Sequence, residues 1–153
     1  GARRWLVIGT GGSARAVAIA AADAGAELRV RSRAPERAQR FVTWAAEHGA
    51  RAAVWKDGEA TDVAVNATPL GLAQVDPLPV DPARLPEVRC ALDLVYVAGQ
   101  TRWVQALRAA GVTATDGREM LVHQGAAAFD RFFPGANAPV DIMRAAVSRA
   151  LRA

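Results

Sequence analysis

Small residues follow the first apolar segment of the chain in a spacing that suits the binding of a phosphate group. Trp5-Leu6-Val7-Ile8 leads directly into Gly9-Thr10-Gly11-Gly12-Ser13-Ala14-Arg15, and an alanine-rich stretch follows. A buried strand, a glycine turn and a helix in this order are typical of the start of a dinucleotide-binding unit. Gly9 permits the tight turn, Gly11 admits a pyrophosphate, and Ala14 lets the helix pack against the strand. The backbone N–H groups at the positive end of the helix are therefore expected to face the phosphates.

The end of the second predicted strand favours NADP over NAD. Arg31-Ser32-Arg33 stands about 20 residues past the glycines, where NAD-binding proteins usually carry an acid for the ribose hydroxyls. Here Ser32 offers a hydroxyl, and Arg33 and Arg37 offer guanidinium groups that suit a 2′-phosphate. The alternative is that both arginines are solvated charges in an arginine-rich chain.

Alternating strand and helix patterns must position these residues. Strands are predicted over 4–8, 27–31, 51–55, 62–66, 89–96 and 112–115, and helices over 12–24, 35–48, 101–110, 117–133 and 140–151. The segment 69–86 holds five of the eight prolines, so a long loop is expected there. This order predicts a doubly wound α/β fold with a mainly parallel six-stranded sheet, order 3-2-1-4-5-6, and helices on both faces. Ligands of such sheets bind beyond the carboxyl ends of the strands, where the strand order reverses.

The composition fits one globular domain over residues 1–153, with 52% hydrophobic and 22% charged residues. No apolar run reaches the ~20 residues of a membrane helix, so no membrane partner is expected. A single cysteine, Cys90, fits a cytoplasmic location, and two histidines with one cysteine suggest no metal site. The net charge of +4 is spread among interspersed acids without basic–aromatic runs, so nucleic-acid binding is not expected. Because the chain begins without Met and enters a strand at once, we expect it to be a piece of a longer protein.

Four further segments stand in an order that resembles the cofactor-binding half of shikimate dehydrogenases. They are Val65-Asn66-Ala67-Thr68-Pro69-Leu70-Gly71, Asp93-Leu94-Val95-Tyr96 followed by Thr101, Asp116-Gly117, and Met120-Leu121-Val122-His123-Gln124-Gly125. With the glycine segment and the arginines after the second strand, the resemblance extends from Trp5 to Gly135 and implies a Rossmann fold. Ser32 and Ala34 depart from the Asn and Thr that the family often has, which predicts a weaker grip on the 2′-phosphate. Residues 97–99 lack the proline common in the family, which predicts a more mobile loop.

The resemblance implies reversible hydride transfer between NADPH and 3-dehydroshikimate, giving shikimate, in aromatic amino-acid biosynthesis. It implies pyrophosphate contacts from residues 9–15 and 2′-phosphate contacts from Ser32, Arg33 and Arg37. Further cofactor contacts are implied for Asn66, Ala67, Thr68, Pro69, Leu94, Gly117 and Met120, and substrate contacts for Tyr96 and Gln124. Taken singly, these residues admit plainer interpretations: a strand-end turn for Asn66 and Thr68, packing for Met120, a rim aromatic for Tyr96, and a solvated helix residue for Gln124. The apolar neighbours of Gln124 place it near the core.

The resemblance also places the general acid outside this chain. In the family a Lys–Asp pair comes from a preceding substrate-binding domain, so we expect this chain to be the NADP-binding domain of a two-domain enzyme, without a catalytic residue and inactive alone. Lys56, the only lysine, precedes Asp57-Gly58 and is expected in a solvated turn. Asp93 ends a predicted strand, and the sequence offers it no partner that suggests a raised pKa.

Three alternative functions remain open on the sequence. One is an NAD(P)-dependent quinate/shikimate dehydrogenase of the same superfamily, which a cofactor titration distinguishes. Another is a stand-alone NADP-binding regulatory module without chemistry. The third is a basic nucleic-acid-binding domain, for which retention on DNA would depend on salt.

Overall fold

The computed structural model describes residues 3–151 as an alternating series of strands and helices. The residues Gly1, Ala2, Arg152 and Ala153 lie outside the described residues, and with them both ends of the expected domain 1–153. The elements are β1 (Arg4–Ile8), α1 (Gly12–Asp23), β2 (Glu27–Arg31), α2 (Pro35–Glu47), β3 (Arg51–Val54), β4 (Val63–Asn66), β5 (Cys90–Asp93), α3 (Arg102–Ala109), β6 (Thr113–Thr115), α4 (Arg118–Phe132) and α5 (Val140–Ala150).

The six strands form one parallel sheet in the order β3-β2-β1-β4-β5-β6, which confirms the predicted fold class. Ile8 of β1 is in register with Arg31 of β2 and with Asn66 of β4, and Asn66 is in register with Asp93 of β5. The carboxyl ends of four neighbouring strands therefore lie at one edge of the sheet. The strand order reverses between β1 and β4, where a ligand site is expected.

Two apolar layers cover the sheet. On one face, the fully buried alanines of α1 and the buried side of α2 pack against β1 and β2. Ala14, Ala18 and Ala21 have no large side chain, so the axis of α1 comes close to the strands. On the other face, Trp103 of α3 is buried and its indole Nε1 donates a hydrogen bond to Val80 O at 2.8 Å. That bond holds the long loop after β4 against α3.

Most predicted element ends are confirmed to within one residue, but β5 is shorter than the predicted strand 89–96. It ends at Asp93 because the Asp93 carboxylate accepts a hydrogen bond from Val95 N at 3.1 Å, which turns the chain out of the sheet. The helix α3 begins after Thr101, whose hydroxyl accepts from Val104 N at 3.3 Å as an N-cap. The proline-rich segment 69–86 is a loop, as predicted, with one 3₁₀ turn over Pro82–Arg84.

The helix lengths and the placement of His, Cys, Asp and Glu side chains in residues 3–151 bear on the expected partners. No helix in this part of the chain is long and apolar enough to cross a membrane. No group of three or more His, Cys, Asp or Glu side chains in the same range is placed to hold a metal ion.

Candidate functional site

A cleft of about 550 Å³ lies at the reversal point of the sheet. Three loops form it, namely those that follow β1, β2 and β4. The lining residues are Ile8, Gly9, Thr10, Gly11, Arg31, Ser32, Arg33, Ala34, Arg37, Ala67, Thr68, Pro69 and Leu70. The structure thus brings together nine of the residues that the sequence singled out: Gly9, Thr10, Gly11, Ser32, Arg33, Arg37, Ala67, Thr68 and Pro69.

Gly9 closes the floor of this cleft where three strand ends meet. Its φ of +112° favours glycine, and a Cβ added there would lie 2.6 Å from Ala67 O. Gly9 N donates to Arg31 O at 2.8 Å, and Ala67 N donates to Ile8 O at 2.8 Å. A larger residue at position 9 would therefore separate β1 from the loop after β4. In contrast, Cβ atoms added at Gly11 and Gly12 would meet no described atom within 4 Å, which leaves space for a ligand beside the backbone.

The N-terminus of α1 faces this space, and no capping side chain or acid in its first turn offsets the positive end of the helix dipole. Gly11 is the N-cap, no side chain among the described residues caps this end, and the first turn contains no acid. The first amide that bonds back into the helix is Arg15 N, which donates to Gly11 O at 3.1 Å. The preceding backbone N–H groups and the partial positive charge of a 12-residue helix suit an anionic group.

Unpaired positive charge surrounds the same end of the sheet. Within residues 3–151, the guanidinium groups of Arg15, Arg33, Arg37 and Arg40 make no ion pair and no hydrogen bond. Several other arginines of the described chain pair with acids, for example Arg29 with Glu59 at 2.5 Å and Arg144 with Glu119 at 2.9 Å. No acid lines the cleft. Concentrated cationic groups without acids are an arrangement that a phosphate can neutralise.

Asn66 has a different role from the cofactor contact that the sequence analysis assigned to it. Its side chain is fully buried and does not line the cleft. The amide Oδ1 accepts from Thr68 N at 3.0 Å and from Thr68 Oγ1 at 2.6 Å, and Nδ2 donates to Leu70 O at 3.0 Å. The strand-end turn, which the sequence left as the plainer alternative, is the conformation found. Asn66 therefore shapes the loop that lines the cleft and has no free polar atom for a ligand.

Asp93 joins this turn to the start of α3 through a buried network. Its Oδ1 accepts from Asn66 Nδ2 at 2.8 Å, and its Oδ2 accepts from Thr101 Oγ1 at 2.7 Å. Burial raises the pKa of Asp93, and the hydrogen bonds from Thr101 and Asn66 offset part of that rise. The sequence offered no partner that suggests a raised pKa, and the rise comes mainly from burial, which depends on contacts that are distant in the sequence.

Replacing Asp93 with asparagine is expected to lower the free energy of unfolding by about 1–3 kcal/mol, because an amide leaves one of the buried donors without an acceptor. Urea denaturation of Asp93→Asn beside the exposed control Asp23→Asn measures the loss. Equal stability of the two variants would contradict a structural role for the network.

The raised pKa of Asp93 also makes the stability of the fold depend on pH. Protonation of Asp93 stabilises the folded state; this stabilisation is fully present below the unfolded-state pKa of about 3.8 and is lost as the pH rises through the folded-state pKa.

The predicted residues further along the chain do not line the cleft. Gly117 is buried, and a Cβ there would overlap Leu94 O, so glycine lets the start of α4 approach the segment after β5. Leu94, Met120 and Tyr96 are half-buried. Gln124 is exposed on α4, so its expected position near the core was wrong: Val122 takes the buried position of that turn. Tyr96 and Gln124 make no hydrogen bond to any described residue, which leaves both polar groups available to a ligand.

Arg118 is a structural residue that the sequence analysis missed. Its Nη2 donates to Val97 O at 2.8 Å and to Gly99 O, and its Nε lies 3.1 Å from the Asp116 carboxylate. These contacts tie the 97–99 loop to the start of α4. The loop therefore has an anchor that its lack of proline did not suggest. Only the position of Arg118 directly after Asp116-Gly117 indicated it.

The chain is similar in sequence to known proteins. Residues 117–147 match the family described as the Shikimate 5'-dehydrogenase C-terminal domain. A relative from Methanothrix thermoacetophila named shikimate dehydrogenase (NADP(+)) is 39% identical over 150 residues, which cover 95% of this chain and 54% of the relative. The chain spans about half the length of the curated relatives that it matches.

Two solved structures are similar in sequence and in fold. Shikimate 5-dehydrogenase from Thermus thermophilus in complex with NADP(H) and shikimate is 37% identical, with a TM-score of 0.81 over 95% of this chain and 54% of that one. Quinate dehydrogenase from Corynebacterium glutamicum in complex with NAD is 30% identical, with a TM-score of 0.82 over 98% of this chain and 56% of that one.

Proposed function

The chain matches the C-terminal, cofactor-binding half of the shikimate dehydrogenase family in sequence and in fold, and we propose that it binds NADP(H) in the cleft at the reversal point of its sheet. In the whole protein this half serves the NADP-dependent reduction of 3-dehydroshikimate to shikimate. Two similar proteins support this assignment: the relative named shikimate dehydrogenase (NADP(+)) and the shikimate 5-dehydrogenase solved in complex with NADP(H) and shikimate. The cofactor supplies the hydride, and the residues of this chain hold and orient it.

A single observation carries the proposal: an uncapped helix N-terminus and unpaired arginines converge on one acid-free cleft. The pyrophosphate is assigned to the backbone at the head of α1, over residues 11–13, where a helix dipole and free N–H groups favour anions. The 2′-phosphate is assigned to Ser32, Arg33 and Arg37. Ser32 Oγ accepts from Ala34 N at 3.4 Å, so its hydroxyl proton stays available to a phosphate oxygen. The residue types fit a phosphorylated dinucleotide.

The nicotinamide and the substrate are assigned to the edge of the sheet past β4 and β5. Leu94, Gly117 and Met120 would pack against the nicotinamide, and Tyr96 and Gln124 would offer polar groups to substrate hydroxyls. Ala67, Thr68 and Pro69 line the path between the two ends of the dinucleotide. Asn66 takes part only by fixing the conformation of that loop.

We assign the missing part of the enzyme to a preceding substrate-binding domain. The α4–α5 apolar surface, defined by Phe132, Phe133 and Ile142, is exposed in this chain, with Phe132 at 80% and Ile142 at 68%. No residue of α5 within the described range is buried. Exposed apolar area of this kind typically marks an interface. Because the relatives are about twice as long as this chain, the additional domain is the natural occupant.

The isolated chain is expected to bind NADPH and to produce no measurable shikimate oxidation. Proton transfer to the nascent alkoxide requires a positioned acid. Lys56 is exposed and does not line the cleft, and Asp93 is buried among its own partners. Absorbance of NADPH at saturating shikimate and NADP⁺ tests the chain, with a full-length relative as positive control. Turnover comparable to that of the relative would overturn the assignment of the acid to another domain.

Separate calorimetric titrations of NADP⁺ and NAD⁺ into the chain test the proposed cofactor binding itself. Preference for NADP⁺ supports the proposal. Equal binding of both, or preference for NAD⁺, would instead support the NAD(P)-dependent quinate/shikimate dehydrogenase. Binding of neither nucleotide would contradict a cofactor-binding role.

A further inference from the structure

A second groove adjoins the cofactor cleft on its α2 side. It has a volume of about 390 Å³, and it shares Thr10 and Arg37 with the cleft. Its other lining residues are Arg15, Arg40, Phe41 and Trp44. We define this set as the arginine groove. Arg37 therefore stands between the groove and the cleft and faces both.

The position of Arg15 in the groove is fixed by an aromatic stack on α2. The Arg15 Cζ lies 4.9 Å from the centroid of the Trp44 ring, a cation–π distance. The Trp44 ring is supported by Phe41 at 5.5 Å and by His48 at 4.3 Å between centroids. Arg15 is thus held by a ring rather than by an acid, which leaves all of its N–H donors free for a ligand.

The charges in the groove are not balanced by the protein. Arg37 and Arg40 lie one turn apart on α2, and Arg15 of α1 lines the same groove. Within residues 3–151 none of the three guanidinium groups has a carboxylate or a hydrogen-bond acceptor, and no acid lines the groove. Like charges repel one another unless an anion lies between them, and a phosphate monoester carries about −1.5 to −2 at neutral pH. The pyrophosphate is already assigned to the head of α1, so the remaining anion of the dinucleotide is the 2′-phosphate.

We propose that Arg40 is a specificity-determining residue for the 2′-phosphate. Together with Arg15 on the Trp44 ring, it forms the outer side of the phosphate subsite, across Arg37 from Arg33. This inference rests on the proposed function and extends it, because the sequence pattern assigned only Ser32, Arg33 and Arg37 to that phosphate. Trp44 is a positioning residue, since it acts on the phosphate only through Arg15.

The variants Arg40→Gln and Arg40→Glu test the inference in the whole chain. We expect Arg40→Gln to raise the Kd for NADP⁺ about five- to tenfold and Arg40→Glu to raise it further, with the Kd for NAD⁺ changed by less than about twofold. Trp44→Leu is expected to raise the ratio of the Kd for NADP⁺ to the Kd for NAD⁺ by a smaller factor. Arg131→Glu is the matched control, because Arg131 is exposed, lacks a described partner and lines neither cavity.

Two results distinguish a failure of the proposed function from a failure of this inference alone. If the wild-type chain binds neither nucleotide, the proposed function fails and this inference fails with it. If the wild-type chain prefers NADP⁺ and both Arg40 variants keep the preference of Arg131→Glu, the inference alone fails. Circular dichroism checks the fold of each variant. If Arg40→Glu does not fold, Arg40→Gln alone still tests the inference.

Discussion

Replacing Arg33 with aspartate is expected to weaken the binding of NADPH about 100-fold or more while changing the affinity for NADH only slightly. Arg33 lies in the cleft, exposed and without a described partner, so the substitution removes a charge-assisted hydrogen bond to the 2′-phosphate. Such a bond contributes about 1.5–3 kcal/mol. The new carboxylate also repels the phosphate dianion. NADH has a hydroxyl at that position. This hydroxyl can donate a hydrogen bond to a carboxylate, as in NAD-binding proteins.

Calorimetric titration of both reduced cofactors into wild type and Arg33→Asp measures the effect. The ratio of the two dissociation constants is the informative quantity, because a general defect in folding lowers both affinities together. Arg131→Asp controls for the change in net charge. Parallel losses for NADPH and NADH would remove Arg33 from the phosphate subsite.

Replacing Gly9 with alanine is expected to lower the free energy of unfolding by about 2–4 kcal/mol and to abolish measurable cofactor binding. Two effects add at this position. The φ of +112° is strained for an L residue, at a cost of about 1–3 kcal/mol. The added Cβ would also lie 2.6 Å from Ala67 O, a backbone atom that moves only if the end of β4 moves.

Gly49 provides the matched control for the second effect. It also has a positive φ, +84°, but a Cβ there meets no described atom within 4 Å. Gly49→Ala therefore reports the conformational strain alone, and the additional loss in Gly9→Ala reports the overlap with Ala67. Thermal or urea denaturation measures both variants. If they lose the same stability and Gly9→Ala still binds NADPH, the close approach of the two strand ends is not required for the site.

The fold was predictable because local patterns and chain topology agree. The glycines after β1, the alternation in β2 and the helical stripe of α2 each fix one element, and right-handed crossovers leave the order 3-2-1-4-5-6 as the natural arrangement. The end of β5 was not predictable in the same way. The apolar character of residues 94–96 continues the strand pattern, but Asp93 turns the chain by bonding to Val95 N. Nothing local shows that its second oxygen will be held by Thr101.

The site was predictable to the extent that its residues follow strand ends directly. The glycine loop, Arg33 and Arg37 were placed in one cleft by the strand order alone. Asn66 was misassigned because the same residue type suits a ligand contact and a strand-end turn, and only its burial decides between them. Arg40 was missed although its spacing of three residues from Arg37 places both on one side of α2. The role proposed for Arg40 depends on Arg15, which belongs to another helix and lines the same groove.

A crystal structure of this chain grown with NADPH tests the assignment of the cleft most directly. We expect the pyrophosphate against the backbone N–H groups of residues 11–13 and the 2′-phosphate in contact with Arg33 and Arg37. A nucleotide bound elsewhere on the chain, or a cleft left empty at saturating NADPH, would contradict this assignment.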